Sequence, residues 1–353
     1  MTDTDFDVLG IGNALVDVIA SVDNAFVETH DFPHGATTMV DLERAEAVYA
    51  DLPPAQELSG GSCANTIAGL ASFGATVAFI GRVRDDQLGK VYTHDLRSLG
   101  VDFDVAPATD GPATGRCLVM VTPDAHRTQC TYLGASTFIG PDDVDAGVVA
   151  RSQVTYLEGY LWDQPSAKDA IRKAATAARG AGRQVAFTLS DPFCVDRHRE
   201  EFRSLVADEI DVLFGNEAEI CSLYEVEDFD AALQRLRPHC RVGALTRSER
   251  GSVVIAGDAP AALPTGAAGA GARDGDQWEP GEVHVIDADP VERLVDTTGA
   301  GDQYAAGFLH GLTHGYDLAT CGRLGSVAAA EVISHLGARP AVSLARLAEN
   351  VTG

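Results

Sequence analysis

No apolar run in the sequence approaches the length that crosses a bilayer, so a membrane-spanning role is excluded at this level. Positive charge is also scarce. Lys and Arg number 26 against 52 Asp and Glu, for a net charge of −26. That balance argues against nucleic acid or an anionic membrane as a partner. A local positive pocket could still hold a phosphate. The seven cysteines are scattered, with no C-x-x-C and no metal-ligand spacing. An odd, unpatterned set points to reduced thiols and a cytoplasmic setting. Two H-x-x-x-H spacings occur, His30/His34 and His310/His314, but neither has the glutamate of H-E-x-x-H, so zinc chemistry is unsupported, and no G-x-x-x-x-G-K-[ST] marks a P-loop. The acidic start, Met1-Thr2-Asp3-Thr4-Asp5, is unlike a signal or transit peptide. The acidity itself reads as solubility or adaptation to a salty cytoplasm.

What is present is an α/β pattern. From Val154 onward, short apolar runs alternate with helical periodicity: strands at Val154 to Leu157, Val185 to Leu189 and Val212 to Phe214, with helices between them. Such alternation is the signature of a parallel sheet covered by helices. Earlier segments break it. Val16 to Val40 and Phe103 to Ser136 carry short strand-like runs, including a hairpin around Thr122-Pro123-Asp124-Ala125. They read as a small second sheet built from two separated stretches, roughly 16–40 and 103–136. Residues 259–280, rich in Gly and Ala, lack core-forming side chains and read as a mobile surface loop. The expectation is one domain over residues 1–353. Leu344 to Asn350 reads as a last helix capped by Ser343.

The stretch Asp296-Thr297-Thr298-Gly299-Ala300-Gly301-Asp302 carries the strongest chemical signal. It follows a strand-like run ending at Val295 and opens a helical segment, Gln303 to His314. Strand, glycine turn and helix make an anion site, because the first helical N–H groups lack intrahelical acceptors. Gly299 and Gly301 leave the backbone bare for close approach. A carboxylate at Asp302 would repel bound phosphate, but it suits a base that takes a proton from an attacking hydroxyl. The competing reading is an Asp that caps its helix. Gly10-Ile11-Gly12 opens like a dinucleotide fingerprint, but Leu15 stands at the third glycine and strand follows.

Asp296 to Asp302, followed by Ala305-Ala306-Gly307-Phe308, resembles the C-terminal signature of the ribokinase-like (pfkB-type) sugar and nucleoside kinases. Gly60-Gly61-Ser62-Cys63-Ala64-Asn65 through Gly89 resembles their N-terminal signature. The resemblance implies a three-layer α/β/α core with a mainly parallel sheet and a small β lid. It implies ATP and Mg²⁺ as cosubstrate and cofactor. Asp302 would be the general base, with Gly299, Ala300 and Gly301 as the anion hole. Asp17, Gly61, Ser62 and Asn65 would line the acceptor site. Asn216 and Glu219, in an N-x-x-E motif, would hold Mg²⁺ through water; without the resemblance they read as a helix cap and a solvated acid. Asn216, Thr246, Arg247, Gly251 and Thr298 would contact ATP, although Arg247 and Ser248 depart from the usual small residues. Asp296 and Thr298 match positions that in many members bind K⁺.

Leu189-Ser190-Asp191-Pro192-Phe193, Phe214-Gly215-Asn216-Glu217 and Gly10 to Asp17 resemble the adenosine-kinase branch. That implies adenosine as acceptor, converted to AMP in purine salvage. The alternatives are a kinase of ribose, fructose or a keto-deoxy sugar acid, and a non-catalytic nucleoside-binding regulatory protein. The expected partner is a small nucleoside or sugar, and the expected assembly a monomer or homodimer.

Overall fold

The computed structural model of the chain describes residues 4–124, 126–258 and 279–353. Its main sheet has eight strands in the order β13 (Val283–Ile286), β12 (Ser252–Ala256), β11 (Val242–Thr246), β10 (Val212–Asn216), β9 (Gln184–Thr188), β8 (Ser152–Glu158), β1 (Phe6–Ile11) and β5 (Val77–Ile80). Pairings from β11 through β5 are parallel, and β12 and β13 close one edge antiparallel. Side chains alternate across it. Val8, Tyr156, Phe214 and Val254 join a core with helices α3 (Ser62–Ser72), α10 (Ala300–Thr313) and α11 (Leu318–Ile333). Leu9, Leu157, Phe187 and Ile255 face α6 (Pro165–Gly180), α7 (Pro192–Asp208), α8 (Glu217–Tyr224) and α9 (Phe229–Leu236). Burial of both faces explains why these strands are continuous apolar runs in the sequence. α5 (Ala146–Ala150) packs on α6, and α12 (Leu344–Thr352) packs on α11 and α3.

A second sheet has the order β3 (Thr37–Met39), β7 (Arg127–Tyr132), β6 (Gly115–Val121), β2 (Leu15–Ser21) and β4 (Gln56–Gly60). The hairpin joining β6 to β7 is there, and β4 is a strand outside both expected stretches. One face, with Val16, Val18, Leu118, Met120 and Cys130, belongs to the main core and is backed by α2 (Leu42–Asp51) and α4 (Gln87–Ser98). The other face carries Asp17, Ile19, Cys117, Val119, Val121 and Arg127 in paired register.

Several local expectations need correction. The run ending at Val295 is not a strand. Residues 287–298 have no regular structure, and Val295 N–H reaches back to Ile333 O instead. Asn24–Thr29 forms a short helix, α1, capped by Asp23, where only strands and a turn were expected. The sequence places a helix from Arg199 to Ala207, but α7 begins at Pro192, because Asp191 caps Cys194 N–H and proline suits the first turn. Ser343 precedes α12 but makes no side-chain cap. The Gly/Ala-rich loop at 259–280 lies outside the described residues, except for its last two. Among the described residues no helix is long and apolar enough to cross a membrane.

Candidate active site

The C-terminal ends of β9, β10 and β11 meet the N-termini of α3, α8 and α10 around a cleft of about 80 Å³. Ser62, Asn216, Glu219, Thr246, Gly301 and Asp302 line it. Ligands of open parallel sheets bind at this edge, where loops and helix N-termini converge.

α10 starts from Gly299, which has a left-handed backbone (φ 78°) and no side chain to cap the helix. A Cβ there would lie 2.7 Å from Ala338 Cα. Gly301 is different: a Cβ would meet nothing within 4 Å, so packing does not demand glycine. The Ala300 amide already donates to Thr297 O at 3.2 Å, which withdraws it from the expected set of anion donors.

Asp302 is not a helix cap. Its Oδ1 accepts the Ser62 hydroxyl at 2.6 Å, and its Oδ2 accepts Asn65 Nδ2 at 3.2 Å. Desolvation in the cleft pushes its carboxyl up to about 6, against the pull of those two bonds. Asp17 is pushed to about 6 as well, first by burial, with Arg339 and Arg127 opposing and the charge of Asp302 adding to the rise. Gly60 sits against it: a Cβ would come 2.3 Å from the Asp17 carboxyl. Gly61, at φ 102°, is fixed by packing, since a Cβ would lie 2.1 Å from Asn13 O.

Asn216 and Glu219 form a reciprocal capping box on α8. Glu219 Oε2 accepts Asn216 N–H at 2.9 Å and Oε1 accepts Nδ2 at 2.6 Å, so the capping reading is realised. Glu219 is buried and raised to about 7, by desolvation and then by the charges of Asp191 and Asp302. Thr246 ends β11 at the cleft, but Arg247 turns to Glu217 (3.4 Å) and lies 4.2 Å from the Phe229 ring centroid. Gly251 is required by the turn, with φ 74° and Ile286 O only 1.9 Å from a Cβ.

Two arginines join the site without having been anticipated. Arg127, on the inner face of β7, has a side chain only 9% exposed, with its Nη2 2.6 Å from Asp296 Oδ2. The remaining contacts of Asp296 are the amides of Thr298 (3.0 Å) and Gly337 (2.9 Å). Arg339, just after α11, bonds Ser59 Oγ at 2.8 Å, approaches Asn65 Oδ1 at 3.4 Å and lies 3.5 Å from Asp95. Neither belongs to a motif. Only the tertiary fold brings them in.

Strand-edge cleft, buried carboxylates and a glycine-opened helix together describe a small-molecule phosphotransferase fold. Residues 37–344 match the pfkB family carbohydrate kinases, and the chain belongs to that family. An adenosine kinase structure from Sinorhizobium meliloti is 47% identical, with a TM-score of 0.85 over 99% of this chain and 100% of that one. A probable sugar kinase structure from Rhizobium etli CFN 42 is 42% identical, with a TM-score of 0.85 and 98% of each chain covered. A 5-dehydro-2-deoxygluconokinase from Shouchella clausii is 27% identical over 93% of this chain and 90% of its own length.

Proposed function

We propose that this kinase transfers the γ-phosphoryl group of ATP to the 5′ hydroxyl of a nucleoside, adenosine, to give AMP. The observation that carries the acceptor class is the inner face of the second sheet. There Ile19, Cys117, Val119 and Val121 form an apolar cluster separate from the main core, next to Asp17 in the same register. A carboxylate beside an apolar wall suits a ribose hydroxyl beside a base. A sugar acid would instead need a free cation. The two guanidinium groups here are already charge-paired, Arg127 with Asp296 and Arg339 with Asp95, and Arg127 Nε makes no hydrogen bond among the described residues. The 47% identical adenosine kinase supports the same reading.

In this reading Asp302 accepts the acceptor's proton, with Ser62 and Asn65 fixing its carboxylate. The bare backbone at Gly301 receives the transferred group. Asp17 and Asn65 orient the acceptor. The second sheet acts as a lid that keeps water out. Asn216 and Glu219 fit a hydrated Mg²⁺: Glu219 is a buried carboxyl raised first by desolvation, and the charges of Asp191 and Asp302 add to the rise. Mg²⁺, when bound, offsets charge on the nucleotide phosphates. Asp296 does not fit K⁺ in this arrangement, because a guanidinium and two amides already take its oxygens. The test is ADP release with Mg-ATP over adenosine, ribose, fructose and 5-dehydro-2-deoxygluconate. Adenosine should give the highest kcat/KM. A higher value for any free sugar or sugar acid would overturn the acceptor assignment and leave the kinase reading standing.

A further inference from the structure

Glu158 ends β8 and is wholly buried, yet nothing in the reaction outlined above uses it. Its environment is unusual. Oε1 accepts Asn13 N–H at 2.7 Å and Asn13 Nδ2 at 2.6 Å. Oε2 accepts Cys63 N–H at 2.8 Å. Burial raises its carboxyl most, the three N–H donors oppose, and the charge of Asp302 adds to the rise. Its titratable neighbours are Cys63 on α3, Tyr92 on α4, Tyr156 on β8, Cys194 on α7 and Asp302 on α10.

Cys63 is the second residue of α3. The N-cap of that helix is Gly61, which has no side chain to satisfy the first amides. Glu158 therefore supplies the missing cap from 95 residues away. A carboxylate on a helix N-terminus gains from both the charge-assisted bond and the macrodipole. The same carboxylate grips Asn13, and the fit is close. A Cβ on Gly12 would lie 2.7 Å from Glu158 Oε2, and one on Gly61 would strike Asn13 O. Asn13 Oδ1 in turn accepts the Ser136 hydroxyl at 2.8 Å, just past β7. One buried side chain thus ties together the end of β1, the start of α3 and the segment leaving the second sheet. Ser62 and Asn65, which hold Asp302, stand on that first turn of α3.

We infer that Glu158 is a positioning residue for phosphoryl transfer: it pins the N-terminus of α3 and, through Ser62 and Asn65, fixes the Asp302 carboxylate. The inference rests on the kinase reading for its kinetic test. Glu158→Gln keeps the shape but removes the charge and sets an NH₂ against an N–H donor. A misplaced reacting group costs up to about 10²-fold. The expected result is a kcat loss of roughly 10-fold or more, with the KM for ATP held. The loss should be non-additive with Ser62→Ala, because both act on Asp302 through one turn. Wild-type kcat, or strict additivity with Ser62→Ala at a lowered Tm, would reduce Glu158 to a structural residue and overturn the inference. If Glu158→Gln does not fold, Glu158→Asp, which keeps the charge on a shorter arm, takes the same kcat-against-KM test with the same two outcomes. A second readout needs no turnover. The ¹³C titration of the Asp302 carboxyl should move in Glu158→Asp, which keeps the charge and withdraws the carboxylate from α3, and an unmoved titration would overturn the inference. If the wild type transfers no phosphoryl group while that titration moves, the kinase reading fails and the positioning role survives.

Discussion

The Ser62 hydroxyl donates to Asp302 Oδ1 at 2.6 Å, joining residues 240 apart in the chain. The bond spends one oxygen of Asp302 on orientation, and Asn65 holds the second at 3.2 Å. A cap would instead have turned the carboxylate onto the amides of its own helix. The geometry therefore predicts a specific result for Asp302→Asn. As a lost base it should lower kcat by at least about 10²-fold while the KM for ATP holds. Near wild-type kcat at saturating Mg-ATP would remove Asp302 from the chemistry.

The same residue sets a pH dependence. Its carboxyl is raised from 3.8 to about 6, chiefly by desolvation. A base must be ionised, so kcat/KM for the acceptor should fall as pH drops below about 6. The stability sign is opposite to that of a salt-bridged acid. The folded state holds the proton more tightly than the unfolded chain does. The group thus opposes folding increasingly as pH rises from 3.8 to about 6, and fully above that. Asp302→Asn should therefore show a Tm at pH 7 no lower than wild type, measured by calorimetry. A Tm drop there, with none at pH 4, would contradict the assigned shift.

Much of this was legible in the sequence, and the rest was hidden for identifiable reasons. The parallel strands could be read because both their faces are buried, which makes Val212 to Phe214 and its neighbours continuous apolar runs. The helix from Ala300 was legible from its glycines and its period. β4 was missed because Gln56-Glu57-Leu58-Ser59-Gly60 is polar, and it is a strand only through pairing with β2. The supposed strand before Asp296 failed because Val295 finds its partner in Ile333, at the end of a helix. Arg127, Arg339 and Glu158 were invisible as site residues. Each acts on groups distant in the chain, and no local spacing encodes that.

The Arg127 and Asp296 side chains are only 9% and 5% exposed, and the pair joins the second sheet to the glycine turn. Removing one partner of a buried pair strands the other, at a cost of about 3–5 kcal/mol. Arg127→Ala should lower the denaturation midpoint accordingly and speed hydrogen exchange in β7. Because the guanidinium already neutralises Asp296, replacing K⁺ by choline should leave the wild-type rate unchanged. A rate that collapses without K⁺ would show that a cation displaces Arg127 during turnover.

The acceptor face gives the last prediction. Ile19 is partly exposed beside Cys117, Val119 and Val121, so its side chain can be shortened without opening the main core. Ile19→Ala removes an ethyl and a methyl group. Each buried methylene is worth about 0.8 kcal/mol, so the KM for adenosine should rise roughly 10-fold or more if a base rests on this wall. Asp17, Asn65 and Asp302 stay in place, so kcat at saturation and the KM for ATP should change little. A free sugar has no base to lose contact with, and its KM should hardly move. Measuring both acceptors on the same variant separates two origins of the effect. A selective loss for adenosine supports a base platform. An equal loss for ribose would mean that Ile19 only shapes the ribose end of the site, and the apolar face would no longer argue for a nucleoside.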